Sequence, residues 1–469
     1  MEILEEYLNR FIAFDGGKRE NSRLGAFTEF LKENLPVFTC DDKTLEEIYY
    51  FRAYTFMKHL KRMADGRYIV TEFLPDVPWA TEGAISCAVG HHLRELRWLK
   101  NGFEIARDYI SFWCEHPEAL LLYNNWFLYA VWEYCDFTGH MDFAYEKAED
   151  FIGYFTRFRD MHAANCGLYK SFDNYDGMEF SVSAYGIRPT INSYVYGNAY
   201  GLYKILDYAG DLRAGEYGEF AAKLKEKIAN ELYRDGFYYT LPLENGEKVP
   251  RLIPDFCNPM PDYSVKEQIG YVPFYFGIPK KEQYGMWKYV VDEKVFLAPY
   301  GLTTVDRSSR SFGYYSPHMC LWNGPVWPFA TSQTLTGLSN ALKTRNLMPI
   351  GKAEYTFLLK QYASSQHIRT ENGVRPWIDE NLDGETGEWL ARKIMMKNNA
   401  SDRERGVDYN HSTYFDLILN GLCGADVKDG VALFEPQAEG VAFTVEGLNM
   451  RGKEYRLLFD GTSFTKEKR

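Results

Sequence analysis

Two loops of the sequence set carboxylates among aromatic rings. The first runs Asp173-Asn-Tyr-Asp176-Gly177-Met-Glu179-Phe-Ser181, with Arg188-Pro-Thr-Ile-Asn192 just beyond it. A carboxyl group surrounded by rings loses hydration. That favours its protonated form and lets it donate a proton near neutral pH. The second loop runs Arg375-Pro-Trp377-Ile-Asp379-Glu380-Asn-Leu-Asp383-Gly-Glu385-Thr-Gly-Glu388-Trp389. It offers a carboxylate able to take a proton from water. Cleavage of a glycosidic bond uses one protonated and one ionised carboxyl on opposite sides of that bond. Either loop alone also reads as a solvated acidic turn, with Gly177 supplying a left-handed residue. The pair together points to chemistry.

Two further segments join aromatic and polar groups. Trp322-Asn-Gly324-Pro-Val-Trp327-Pro packs two indoles around a tight turn at a helix start, with Pro325 expected near the first helical turn. Flat rings of this kind suit the C–H faces of sugars. Thr71-Glu-Phe-Leu-Pro-Asp76-Val-Pro-Trp79 precedes His91-His92, of which one is expected to be buried and its neighbour exposed.

These loops need a scaffold. The chain has 469 residues, is 46% apolar and 17% aromatic, and carries a net charge of −12. The aromatic content excludes a disordered chain, and the acidic balance argues against nucleic acid and anionic membranes as partners. Between residues 43 and 426 about eleven segments repeat apolar residues at helical spacing, beginning with 44–64, which Asp41 or Asp42 is placed to cap. The others are 84–100, 120–139, 142–162, 189–210, 213–233, 264–277, 280–292, 326–344, 353–367 and 409–424. Some are apolar all round and others amphipathic, as expected of two concentric helical layers. Residues 427–469 alternate like strands and read as a small antiparallel appendage. Residues 1–42 form a mixed N-terminal segment with no assigned element.

Taken in chain order, these loops and one further segment resemble family 63 glycoside hydrolases and trehalases. Gly177-Met-Glu179-Phe-Ser181 resembles their Gly-x-Asp-x-Ser stretch, which carries the general acid. Glu380 through Gly387 resembles their Glu-x-Tyr-x-x-x-x-Gly stretch, which carries the general base. Trp322 through Trp327 resembles their Trp-x-Gly-Pro-x-Trp wall, and Glu267-Gln-Ile-Gly-Tyr-Val-Pro resembles their Glu-Leu-x-Gly-x-x-Pro segment. Leu74-Pro75-Asp76 sits where those enzymes have a substrate loop. The agreement spans about residues 70–425 and is strongest with the mannosylglycerate-hydrolase-like branch. It implies an all-α (α/α)6 toroid and hydrolysis with inversion. Glu380 falls on the base. The acid is Glu179 or Asp176, because Glu179 stands where the family has Asp and its extra methylene moves the carboxyl by about 1.5 Å. Leu382 stands in place of Tyr, and Val407-Asp-Tyr-Asn-His411-Ser in place of Phe-x-Trp-Ser.

On this resemblance Trp79, Trp322, Trp327 and Trp377 wall a pocket, and Arg188, His91 and Asn192 meet sugar hydroxyls. Asp76, His92, Glu267, Gly324 and His411 complete the substrate-binding set. The partner is a small α-linked carbohydrate, and the residues do not select among glucose, mannose and rhamnose. Two other readings stay open: a sugar epimerase using a histidine pair drawn from His91, His92, His318 and His411, and a carbohydrate-binding barrel without catalysis. The eight cysteines include no CxxC and the nine histidines no HExxH, so no metal or other cofactor is expected. The acidic N-terminus lacks a basic region before an apolar run, which suggests a cytoplasmic protein.

Overall fold

The computed structural model describes residues 2–15, 21–75, 77, 81–244, 246–249, 258, 260–313, 319–344, 346–398 and 405–469 (for 21–27 the backbone only). Helices dominate up to residue 424, and antiparallel strands follow. Asp42 caps the helix Lys43–Lys58, its carboxylate accepting from the backbone N–H groups of Thr44 and Leu45 at 3.1 and 3.2 Å. The apolar pattern continues to residue 64, but the helix stops at Lys58. Leu60–Arg62 instead pairs with Tyr68–Val70 around a turn at Asp65-Gly66. The His59 ring, held between the carbonyls of Thr71 and Asp408, fixes this exit.

Helices buried nearly all round alternate along the chain with amphipathic ones. Phe127–Thr138, Pro189–Tyr208 and Pro328–Lys343 are of the first kind. Phe103–Glu115, Ala148–His162, Ala214–Glu231 and Lys352–Ser365 are of the second. Small residues let the buried helices approach. A Cβ on Gly201 would lie 2.4 Å from the Leu128 carbonyl oxygen, so Pro189–Tyr208 and Phe127–Thr138 touch backbone to backbone. Asn198 secures that contact, accepting from Leu128 N–H and donating to the Asn125 carbonyl, each at 2.9 Å.

Five stretches depart from the sequence pattern. Phe103–Glu115 and Leu390–Lys397 are helical without having been expected. The segments at 264–277 and 280–292 form mostly 3₁₀ turns rather than full α-helices. The segment 409–424 is a loop ending in a π-helix, Leu417–Leu422. Buried charge overrides its periodicity. Arg94, Arg97 and the Trp98 indole N–H all donate to Asp416, while Glu95 accepts the N–H groups of Tyr414 and Asp416.

Val431–Phe434, Phe443–Met450, Lys453–Phe459 and Phe464–Lys468 are strands. The N-terminal segment contributes helices Glu2–Phe14 and Asn21–Asn34 and the strand Val37–Cys40. That strand pairs with Phe443–Met450 as the edge of a four-stranded sheet, Val37 opposite Glu446 and Cys40 opposite Phe443. The two ends of the chain therefore share one sheet. No helix among the described residues is long and apolar enough to cross a membrane.

Two glycine replacements test this packing. Gly201→Ala should destabilise the protein by about 1–3 kcal/mol, the range for overpacking against an unyielding neighbour. Gly153 is exposed on Ala148–His162, and an added Cβ there meets nothing within 4 Å. Gly153→Ala should stabilise by roughly 0.5–1 kcal/mol. Denaturant titration followed by circular dichroism measures both.

Candidate active site

The two acidic loops meet at one cavity of about 300 Å³, lined by Glu179, Glu380, Glu72, Arg405, Tyr409 and His411 among others. The tryptophan turn joins them. Trp322 N–H donates to the Glu179 carbonyl at 3.1 Å, tying the turn to the first loop. Val326 and Leu382 exchange backbone hydrogen bonds of 2.9 and 3.0 Å, tying it to the second. Asn381 Nδ2 adds a bond of 2.7 Å to the Met319 carbonyl. The helix beyond the turn begins at Pro328 rather than Pro325. Trp327 faces the cavity, with its indole N–H on the Leu321 carbonyl at 2.7 Å. Trp322 stacks behind it, ring centres 4.4 Å apart, and does not line the cavity. Gly324 shapes the turn at φ +156°, its N–H donating to Thr304 Oγ1 at 3.0 Å.

Glu179 sits on a strained backbone: its neighbour Phe180 has φ +60°, and Ala184 has φ +48°. Loss of water pushes the Glu179 carboxyl up to about 7, with Glu380 and Glu72 adding to the rise and Arg405 opposing it. Desolvation also raises Glu380, against the pull of Arg405, whose Nε lies 3.4 Å from Oε1. The Cys320 thiol faces the other oxygen at 3.4 Å. Asp379 accepts the Glu380 N–H at 2.8 Å, and burial raises its own carboxyl to about 7. Gly406 has no room for a side chain, because a Cβ would fall 2.1 Å from Asp379 Oδ1.

Several expected substrate contacts belong to the scaffold instead. Asp176 points away from the cavity, accepting from Arg188 Nε at 2.8 Å, Thr190 Oγ1 at 2.5 Å and Asn124 Nδ2 at 2.6 Å. Arg188 is fully buried and also donates to Ser181 and Ser183, so it has no reach to a sugar. Glu267 accepts the N–H groups of Val182 and Ser183 at 2.8 and 3.2 Å. Asn192 bridges the backbone of Tyr169 and Arg188. His91 and His92 are both buried. His91 packs against Trp126 and Phe329, and His92 joins Tyr109 to the Asn410 carbonyl. Trp377 carries the guanidinium groups of Arg375 and Arg392, each 4.9 Å from its ring centre, and lies outside the cavity lining. Asp76 and Trp79 lie outside the described residues.

Of the other groups at the cavity, His411 was among the expected substrate contacts, while Glu72, Asn174 and Arg405 went unread in the sequence. Glu72 lies beside Phe73 in an acid-and-aromatic loop like the other two, a usable signal. His411 Nε2 faces Glu72 Oε1 at 3.1 Å, and its Nδ1 shares a 2.6 Å hydrogen bond with the Tyr409 hydroxyl. Burial lowers His411 to about 3 and His92 to about 3, so both rings are neutral. Asn174 is buried at the cavity wall with its side-chain oxygen unpartnered. Arg405 had no sequence signal, its neighbours being ordinary loop residues. Among the described residues no group of three or more His, Cys, Asp or Glu is placed to hold a metal.

A mostly helical body with two desolvated carboxyls lining one cavity among aromatic rings is an arrangement suited to cleaving a glycosidic bond. Residues 81–412 match the family described as the mannosylglycerate hydrolase MGH1-like glycoside hydrolase domain. The chain belongs to this family of glycoside hydrolase domains. Among solved structures, one described as a sialidase superposes with a TM-score of 0.86 at 30% identity, over 99% of this chain and 43% of that one. A GH78 family rhamnosidase of Bacillus sp. GL1 gives a TM-score of 0.55 at 12% identity, over 92% of this chain and 41% of that one. A bacterial glucoamylase complexed with acarbose gives 0.55 at 12%, over 85% and 58%. The chain thus spans less than half the length of the first two, and the last two show likeness of fold alone. No curated protein matches the chain.

Scaffold and site separate by stability. Arg188→Met leaves Asp176 buried without its partner and should cost about 3–5 kcal/mol. Glu179→Gln removes a carboxyl that is costly to ionise, and should leave the melting temperature unchanged or raised. Differential scanning calorimetry of the two variants makes the comparison.

Proposed function

We propose that the chain is an inverting glycoside hydrolase built on an (α/α)6 barrel, which releases a neutral, α-linked sugar. The observation that carries the reading is that Glu179 and Glu380 line the same desolvated cavity, with Glu179 held protonated up to about pH 7. The alternation of fully buried and amphipathic helices supports the barrel.

In the proposed reaction Glu179 gives its proton to the glycosidic oxygen as the bond to the anomeric carbon breaks. Glu380 takes a proton from a water whose oxygen bonds to that carbon from the opposite face. The products are an alcohol and a sugar of inverted configuration. Proton exchange with solvent then restores both carboxyls. Trp327 offers a face to the ring, and the unpartnered Asn174 oxygen awaits a sugar hydroxyl. Asp176, engaged by three donors beneath the loop, is the weaker candidate for the acid.

The lining supports a neutral sugar. Glu72, Glu179 and Glu380 face it, while Arg405, the single described guanidinium there, is turned to Glu380. An anionic sugar of the kind a sialidase handles would meet that field unfavourably. A histidine-pair epimerase has less support: of its four candidates His91 and His92 do not line the cavity, His411 does, and His318 lies outside the described residues.

Proton NMR of aryl α-glycosides and α-linked disaccharides should show the β-anomer of the released sugar first. An α-anomer first would refute inversion. Glu380→Gln should lower turnover by roughly 10²–10⁴-fold or more with the fold intact, the usual worth of a positioned base. Full activity in that variant would remove Glu380 from the mechanism. The pH profile has a definite sign as well: kcat/KM should fall as pH rises through about 7, where Glu179 loses its proton. Glu179→Gln should nearly abolish turnover of ordinary leaving groups, and should remove that limb for an activated aryl glycoside, whose departure needs no proton.

A further inference from the structure

We infer that Cys320 is a positioning residue, whose thiol donates a hydrogen bond to Glu380 and sets how readily that carboxylate takes a proton. The inference rests on Glu380 being the general base. Its geometry divides the two carboxylate oxygens between two donors of different strength. Oε1 faces Arg405 Nε at 3.4 Å and Oε2 faces Cys320 Sγ at 3.4 Å, an ordinary length for a thiol donor. The backbone N–H of the same residue is already spent on Asp379.

The thiol's own environment keeps it a donor. Burial, then the charges of Glu380 and Glu179, hold Cys320 well above the usual thiol range, so it stays S–H wherever Glu380 is ionised. A weak donor suits this place. Arg405 already stabilises the carboxylate, and a further strong donor would make the base too feeble to take a proton from water. With a thiol instead, Oε2 is oriented and still basic. Among the described residues, Glu72 and Glu179 also face Glu380 and disfavour its charge, as does Asp379 on its own loop. Tyr409 and His411 close the cavity beyond Glu72. The turn holding Cys320 is anchored by Asn381 on the Met319 carbonyl, so the thiol is fixed by the loop that carries Glu380.

The test needs no substrate. Infrared difference spectra of wild type minus Cys320→Ser isolate one S–H stretch from the eight cysteines. That band should lie at the lowered frequency of a bonded thiol and shift when Glu380 is protonated. It should return towards the free-thiol position in Glu380→Gln. A free-thiol band that ignores pH and the Gln variant overturns the proposal. A kinetic arm uses whichever of 4-nitrophenyl α-glucoside, α-mannoside or α-rhamnoside is cleaved. There Cys320→Ala should move the acid limb of kcat/KM upward by about half a pH unit, with Cys320→Val in its place should the Ala variant not fold. Lower activity with an unmoved limb would mean packing only and would also overturn it. A turnover-competent Glu380→Gln defeats the base assignment itself. An inactive Glu380→Gln beside an unmoved limb defeats the role of Cys320 alone.

Discussion

Glu179 and Glu380 are stripped of water in one cavity, and the charge of Glu380 adds to the cost of ionising Glu179. Such a pair holds its geometry only if the surrounding backbone cannot relax towards solvent. The loop of Glu179 is therefore fixed from below. Asp173 accepts from Asn174 N–H and Ser181, Asp176 grips Arg188, and Glu267 takes two further backbone donors. Phe180 and Ala184 keep positive φ because these bonds leave the chain no other course.

The same principle acts on the far wall. Residues 405–416 bring Arg405, Tyr409 and His411 to the cavity without regular structure of their own. Asp416 and Glu95 replace it, one collecting two guanidinium groups and an indole, the other two backbone N–H groups. Arg52 adds bonds to Ser412 and Gln366. Asp408 accepts Lys58 and holds φ +62° one residue before Tyr409. Buried charge thus sets the course of the loop where helical hydrogen bonding does not.

Much of this was legible in the sequence, and what was missed has a physical reason. The long helices Pro189–Tyr208, Ala214–Glu231 and Pro328–Lys343 follow their apolar periodicity because packing and propensity agree there. The segment 409–424 misleads because its period is helical while Asp416 is claimed by three donors from elsewhere. The acidic loops were readable from composition, since carboxylates beside rings are costly unless they are used or bonded. Composition does not show direction. Asp176 and Glu179 lie three residues apart, yet one faces Arg188 and the other the cavity. Arg188, Asn192 and Glu267 were read as sugar contacts for the same reason: a polar residue fit for a hydroxyl is equally fit for a buried backbone. The strand Val37–Cys40 escaped because its partner lies some four hundred residues away.

The field that holds the proton on Glu179 also bears on the step that follows. With Glu179 neutral, Glu72 and Glu380 still face the cavity, against one guanidinium among the described residues of its lining. On the proposed mechanism, positive charge develops at the anomeric carbon as the bond breaks, and the proton leaves Glu179 at the same time. Each event is favoured by the other. The growing positive charge offsets the repulsion that had kept Glu179 protonated, and the new Glu179 carboxylate stabilises that charge in turn. Because the carboxyls are fixed beforehand and withdrawn from bulk solvent, little reorganisation is needed at that moment. A strong third donor on Glu380 would blunt the same field, and a thiol at 3.4 Å leaves it largely in place.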